Sequence, residues 1–404
     1  MMRNILPVLA SALITCLQPA LAQSVRLKTL SQPEVEYREP FTSITTVREL
    51  SDGRVLVNDR MEKTLQLLNL ERGSGETVGR VGNGPGEYGI PGRLFALPGD
   101  TTLLADALNL RYLVILPGGK PGTSFALDDG GDDRRMVGLA TAIDYYAHFY
   151  FVNDRYGPRG ASGFSEERDQ VVLRRSRGRV AVDTIAVLGI PAGRRTATRS
   201  LPGGRVFAYT NRPLAPEDAV AFASDGRVAI VRAGDYHVEW IGVDGRRTRG
   251  PPVPYQPVRI SDAEKKAFIE GQTRPGSIIV MGPGGGGGAV APPASSGGSG
   301  PPQGKAAPMS RALFDDADIG WPAVMPAFLA GAAVVAPDGR LWVLRTRAHD
   351  DPIPTYDVFD DRGHLSERIA LPAHTRLVGF GSRVVYLARK DDDDLQYLQR
   401  YRLP

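Results

Sequence analysis

Cysteine is all but absent: Cys16 is the only one in 404 residues, and it lies in an apolar leader. With that leader removed the chain has no thiol, which excludes disulfides and thiol catalysis and leaves stability to the core alone. Lysine is scarce as well, seven against 42 arginines. The formal net charge is only +4, with both signs interspersed. No stretch interleaves basic and aromatic side chains, so a nucleic-acid groove is not expected. Long apolar runs are missing beyond the leader, whose stretch from Ile5 to Leu17 falls short of the ~20 residues of a membrane span. No GxxxxGK[ST] phosphate loop and no GxSxG nucleophile elbow occurs. The histidines, His148, His237, His349, His364 and His374, show neither HExxH nor paired metal spacing.

What the chain does have begins with that leader. Arg3 precedes the apolar run, and Ala20-Leu21-Ala22 supplies a small-residue cleavage pattern, so residues 1–22 read as a secretory signal cut before Gln23. The expected location is the periplasm or outside the cell. Leu13-Ile14-Thr15-Cys16 fits a lipoprotein cleavage box poorly, because Thr precedes the Cys. Glycine (47) and proline (32) are abundant, which favours many turns and few long helices, hence an all-β protein.

The β-structure is repetitive. Tight turns open onto apolar strands at Ser51 (SDGRVLV), Pro98 (PGDTTLLA), Ser224 (SDGRVAIV), Pro337 (PDGRLWVL) and Gly381 (GSRVVYLA). HFYFVND at His148–Asp154 echoes the VLVND at Val55 and marks a sixth unit. Small residues precede each turn, as in Ala219–Ala223, Gly331–Ala333 and Gly379–Gly381. Such strands suit the crowded axis of a ring, where a flat sandwich would make no such demand. Third and fourth strands follow, the fourth reading ETVGRV, VAVDTIAVL and LSERIALP. One such unit cannot cover both of its faces and must stack on neighbours, so the expected fold is a six-bladed β-propeller spanning 23–404.

The last unit starts near Thr375 and has only three strands, so an N-terminal segment, VRLKTL or EVEYRE, is expected to pair with LQYLQRYRL and close the ring. SLPGGRVFAYT at Ser200 is expected to form a surface hairpin, because too little chain follows for a seventh blade. An insertion spans 258–327. It opens with a helix, SDAEKKAFIEGQ, capped by Ser261 or Asp262, and continues into a low-complexity run at 282–305 expected to be disordered.

The stretch VNDRMEKTLQLLNL followed by GRVGNGPGEYGIP resembles NHL-type repeats, and most closely bacterial exported six-bladed β-propeller proteins. GDYHVEWIGVDGRRTRG and GRLWVLRTRAHDDPIPTYDVFDDRGHLSERIALP are similar to the same class. The resemblance implies the fold and export. That class spans binding modules, lyases and lactonases, so it implies no single activity.

Acids follow the second strands at Asp59, Asp106, Asp154, Asp235, Asp350, Asp351 and Asp391–Asp394, all on one rim. With Tyr88, Arg111 and Trp321 they outline a funnel. Such a ring is able to hold Ca²⁺ or a cationic or sugar ligand, although turn chemistry accounts for each acid equally well. Trp240 and Trp342 read as packing. The leading expectation is a monomeric, non-enzymatic binding module with its ligand, a small molecule, glycan or envelope protein, on Asp59, Tyr88, Asp106, Asp154, Asp235 and Trp321. The alternative is a Ca²⁺-dependent lyase or lactonase-type hydrolase, which requires those carboxylates to converge. A third reading gives the insertion a partner to dock.

Overall fold

The computed structural model describes residues 25–126, 139–159, 165–177, 181–201, 205–210, 212–273 and 319–403. The expected signal segment, Cys16 and the low-complexity run lie outside them. Among the described residues six sheets of four or more strands, antiparallel except for one added strand, follow one another along the chain. Their innermost strands are Ile44–Glu49, Pro91–Ala96, Ala142–Ile143, Ala219–Phe222, Phe328–Val335 and Thr375–Phe380. These six sheets are the blades of a six-bladed β-propeller.

The apolar strand after each turn is a run without polar alternation because both faces of a blade are buried. Val55 and Val57 point into the seam with blade six, whereas Leu56 points into the seam with blade two. Leu103 and Ala105 face blade three while Leu104 faces blade one, and Leu341 and Val343 face blade four while Trp342 faces blade six. Each of the six seams thus holds its own apolar cluster. The core lies between blades, and the axis is left open.

Small residues on the innermost strands have the expected cause. A Cβ added to Gly379 would lie 2.6 Å from the carbonyl oxygen of Val47 on blade one, nearer than any real side chain comes.

The ring closes with both N-terminal segments. Val35–Glu36 pairs antiparallel with Gln396–Arg402 and completes blade six. Arg26–Thr29 instead joins blade five as a fifth strand, parallel to Leu365–Ala370. One other expectation is corrected, and the Ser200 hairpin forms as expected. The outermost strand of blade one is Ser74–Thr77, and Arg80–Val81 leaves it to form a short parallel ribbon with Glu87–Tyr88, because Gly79 at φ +68° turns the chain away. The hairpin near Ser200 comprises Arg195–Leu201 and Arg205–Thr210 and extends the tip of blade three, with Thr196 opposite Ser165.

The insertion has a stem. Ile260 N donates to Ala323 O at 3.1 Å and Met325 N to Val258 O at 2.8 Å. The helix Asp262–Thr273 rises from this stem. Ser261 caps it, its Oγ accepting from Glu264 N at 3.3 Å. No helix among the described residues is long and apolar enough to cross a membrane.

Candidate functional site: the axial funnel

The acids expected on the rim do not converge. Asp59 is the last residue of Val55–Asp59 and not part of the loop beyond it. Its Oδ2 accepts from Thr42 N at 2.6 Å and Ser43 N at 3.0 Å, and its Oδ1 from Met61 N at 2.9 Å and Glu62 N at 3.1 Å. Asp106 ends Thr102–Asp106 in the same way. Its Oδ1 accepts from Gly89 N at 3.0 Å, and its Oδ2 from Asn109 Nδ2 at 2.7 Å and Arg111 Nε at 3.3 Å. Each of these carboxylates holds down the connection that enters its own blade.

The remaining rim residues are also apart. Asp154 sits within His148–Arg159, opposite Gln170, since this hairpin stays paired well beyond the length of its counterparts. Asp235 caps the outer part of blade four, bonded to His237 Nδ1 and to Arg249 Nη2 at 3.0 Å. Tyr88 is buried, its hydroxyl accepting from Leu65 N at 3.0 Å. Trp321 meets Phe268 of the helix edge-on at 5.6 Å. Among the described residues no three His, Cys, Asp or Glu side chains lie together in a metal-holding arrangement. The described carboxylates therefore do not fit a shared Ca²⁺, whose oxygen ligands must meet within about 2.3–2.6 Å of the ion.

A different set of residues lines the axis. A cavity of about 510 Å³ is walled by the innermost strands of all six blades. Its polar lining is Thr45, Thr46, Arg93, Thr141, Tyr356 and Arg376, and no carboxylate lines it among the described residues. Its remaining wall is backbone and apolar side chains, Phe222, Val334, Val335 and Phe380 among them.

Arg93 and Arg376 stand near the starts of the innermost strands of blades two and six, which places them at the mouth shared with the helix. Arg93 Nη1 donates to Thr141 O at 2.6 Å, linking blades two and three. Arg376 Nη2 donates to Ile44 O at 2.7 Å and, more weakly, to Gln396 Oε1 at 3.3 Å. Arg376 has no carboxylate partner among the described residues. Burial pulls both guanidinium groups below their ordinary pKa, yet an arginine stays charged in a protein. Beside them, burial pushes the Tyr356 phenol up to about 12, against the pull of the Arg376 and Arg347 charges. The phenol therefore stays protonated as a donor at neutral pH. Sequence inspection missed these groups because one arginine among 42 carries no signal. Only their positions, on strands otherwise chosen for smallness, mark them out.

A second cavity of about 430 Å³ adjoins the first beneath the helix, and the two share Gly331, Ala332 and Leu344 as walls. At its edge Glu264, itself buried, accepts from the His349 backbone at 3.1 Å and lies 3.0 Å from His349 Nδ1.

Solved structures of similar architecture include the calcium-binding protein regucalcin from Agrobacterium tumefaciens (11% identity, TM-score 0.37, covering 94% of this chain and 97% of that one). A gluconolactonase from Xanthomonas campestris matches at 8% identity and TM-score 0.40, over 93% of this chain and 94% of its own. The PQQ-bound aldose sugar dehydrogenase from Streptomyces coelicolor matches at 15% and 0.41, over 92% and 97%. No family model and no curated protein matches the sequence. At these values the likenesses assign no activity, and the assignment falls to the residues of this chain.

Proposed function

We propose that this protein is an exported ligand-binding propeller that takes a small organic anion into the axial funnel. The observation that carries this reading is the sign of the lining: Arg93, Arg376 and the Tyr356 donor face a cavity without a carboxylate among the described residues. Two desolvated guanidinium groups, each donating to a backbone carbonyl, attract an anion and repel a cation. The volume lies within the roughly 300–1,000 Å³ of small-molecule sites. This reverses the charge expected of the ligand from the acidic rim. The ligand-holding groups are Arg93, Arg376 and Tyr356, while Asp59 and Asp106 keep their structural tasks. The apolar leader at residues 1–22, read as a secretory signal, supports a site of action outside the cytoplasm.

The test is thermal unfolding of the chain from Gln23 onward with benzoate, with the similarly shaped cation benzamidine, and with Ca²⁺ followed by chelator. Benzoate is expected to raise the midpoint, approaching about 2.7 kcal/mol of stabilisation at 100 times its Kd, and Arg376→Gln to abolish the rise. Equal shifts with both signs of ligand would refute an anion site. A chelator-reversible Ca²⁺ shift without a benzoate response would restore the metal-dependent lyase or lactonase.

A further inference from the structure

We propose that the funnel's ligand is an amphiphilic anion whose apolar tail occupies the cleft beneath the helix Asp262–Thr273; this rests on the assignment of an anion to the funnel. The cleft is walled mainly by apolar side chains, among them Leu214, Ala267, Phe268, Met325 and Leu329. Each of its charged groups has a partner, Glu264 and His349 being each other's within the wall itself. Glu264 Oε1 is bonded to His349, Arg347 Nε donates to Asp351 O at 3.0 Å, and Arg345 Nε lies 3.7 Å from Asp357. The wall is chiefly apolar, and an apolar occupant gains by leaving water.

The opening between cleft and funnel is built by the backbone. In blade five, Phe328 pairs with Arg345 and Ala333 with Val343, so residues 329–332 pass opposite Leu344 alone. No other described innermost strand carries so large an irregularity; those of blades one, two and six shift by a single residue. A bulge of this kind re-aims a strand where a site needs room. Gly331, at φ +79°, turns the chain there, and Ala330 and Gly331 are exposed although they belong to an innermost strand. The bulged segment and Leu344 form the boundary that both cavities share. A ligand with its anionic head between Arg93 and Arg376 therefore has a path for an apolar tail across this boundary into the cleft.

The experiment is calorimetric titration of the chain from Gln23 onward with acetate, hexanoate and decanoate, and with decanol and decyltrimethylammonium, all below their micellar concentrations. Affinity is expected to rise about fourfold per buried methylene, the equivalent of about 0.8 kcal/mol, with the neutral and cationic decyl compounds binding far more weakly than decanoate. Ala330→Phe, which fills the cleft from an exposed position, is expected to flatten the chain-length series while acetate still binds. Arg376→Gln is expected to weaken every carboxylate by a similar factor and leave the slope intact. A flat series in the wild-type protein, with short anions bound in an Arg376-dependent way, would overturn the tail site and leave the anion site standing. A steep series shared by decanol and the ammonium compound and indifferent to Arg376→Gln would overturn the anion site itself. Co-sedimentation with phosphatidylglycerol vesicles without binding of free decanoate would overturn the proposal in favour of a bilayer surface.

Discussion

Aspartate 59 and aspartate 106 solve one problem twice. Each ends the second strand of a blade and gathers the amides of the segment that leads into that blade's innermost strand, Thr42 and Ser43 in one case and Gly89 and Ile90 in the other. The Gly89 amide is buried, so losing the Asp106 carboxylate leaves it unsatisfied. Asp106→Ala is expected to lower the free energy of unfolding by about 2–4 kcal/mol, read from urea denaturation, while benzoate affinity at the funnel stays unchanged. A loss of binding without a loss of stability would return Asp106 to the ligand. Tyrosines do related work in the seams. Tyr236 donates to Asp357 across blades four and five at 2.7 Å, and Tyr112 accepts from Ala140 N across blades two and three at 2.7 Å. Burial and the Asp357 carboxylate hold the Tyr236 phenol well above its ordinary pKa. The acids were legible as turn residues. Their hold on the entering segments was not, because Thr42, Ser43, Gly89 and Ile90 lie about 16 residues away or more.

At the scale of elements, the helix Asp262–Thr273 was readable from Ser261-Asp262-Ala263-Glu264, a capping pattern that acts within one turn. Its docking was not, since Glu264 meets His349 across 85 residues of sequence. The bond to Glu264 raises the His349 pKa above 6.5. For a group whose folded pKa is raised, the stabilisation is complete below 6.5 and fades as pH climbs through the folded value. The helix is therefore expected to hold firmly at pH 6 and to loosen toward pH 9. The measurement is hydrogen exchange of its amides, corrected for the intrinsic rate, with His349→Gln as the control that should lose this pH dependence. An unchanged pH response in the variant would assign the effect to other groups. The bulge at residues 329–332 belongs to this scale too. Leu-Ala-Gly-Ala reads as small residues for a crowded axis, and nothing in the string says that they leave the ladder.

For the molecule as a whole, the ring is held by seams and by its closure. Removing residues 25–37 takes the outermost strand from blade six, the parallel strand from blade five, and the buried Leu30 and Tyr37 from two seams. The expected cost is about 1.5–3 kcal/mol for each of those two side chains, with further loss from the broken ladders. The exposed edges should then promote association, visible as oligomers by size-exclusion chromatography beside a lowered unfolding midpoint. A truncated chain that stays monomeric and equally stable would show that the closure is dispensable.

The sequence by itself determined the blade count, the small-residue innermost strands and the need for an N-terminal segment to close the ring, leaving two candidates for it, because these follow from turn chemistry, strand periodicity and small-residue placement, all of which act over a few residues. It also set which faces are buried, since alternate residues of a strand must point to opposite seams. Only the tertiary structure decided the character of the funnel. The side chains that meet there come from strands of all six blades spread between Thr45 and Phe380, and whether a charge faces the axis or its own turn depends on how the sheets pack around the ring, where no local rule reaches. Hence the acids, conspicuous in the string, are spent on their own turns, and two inconspicuous arginines face the opening.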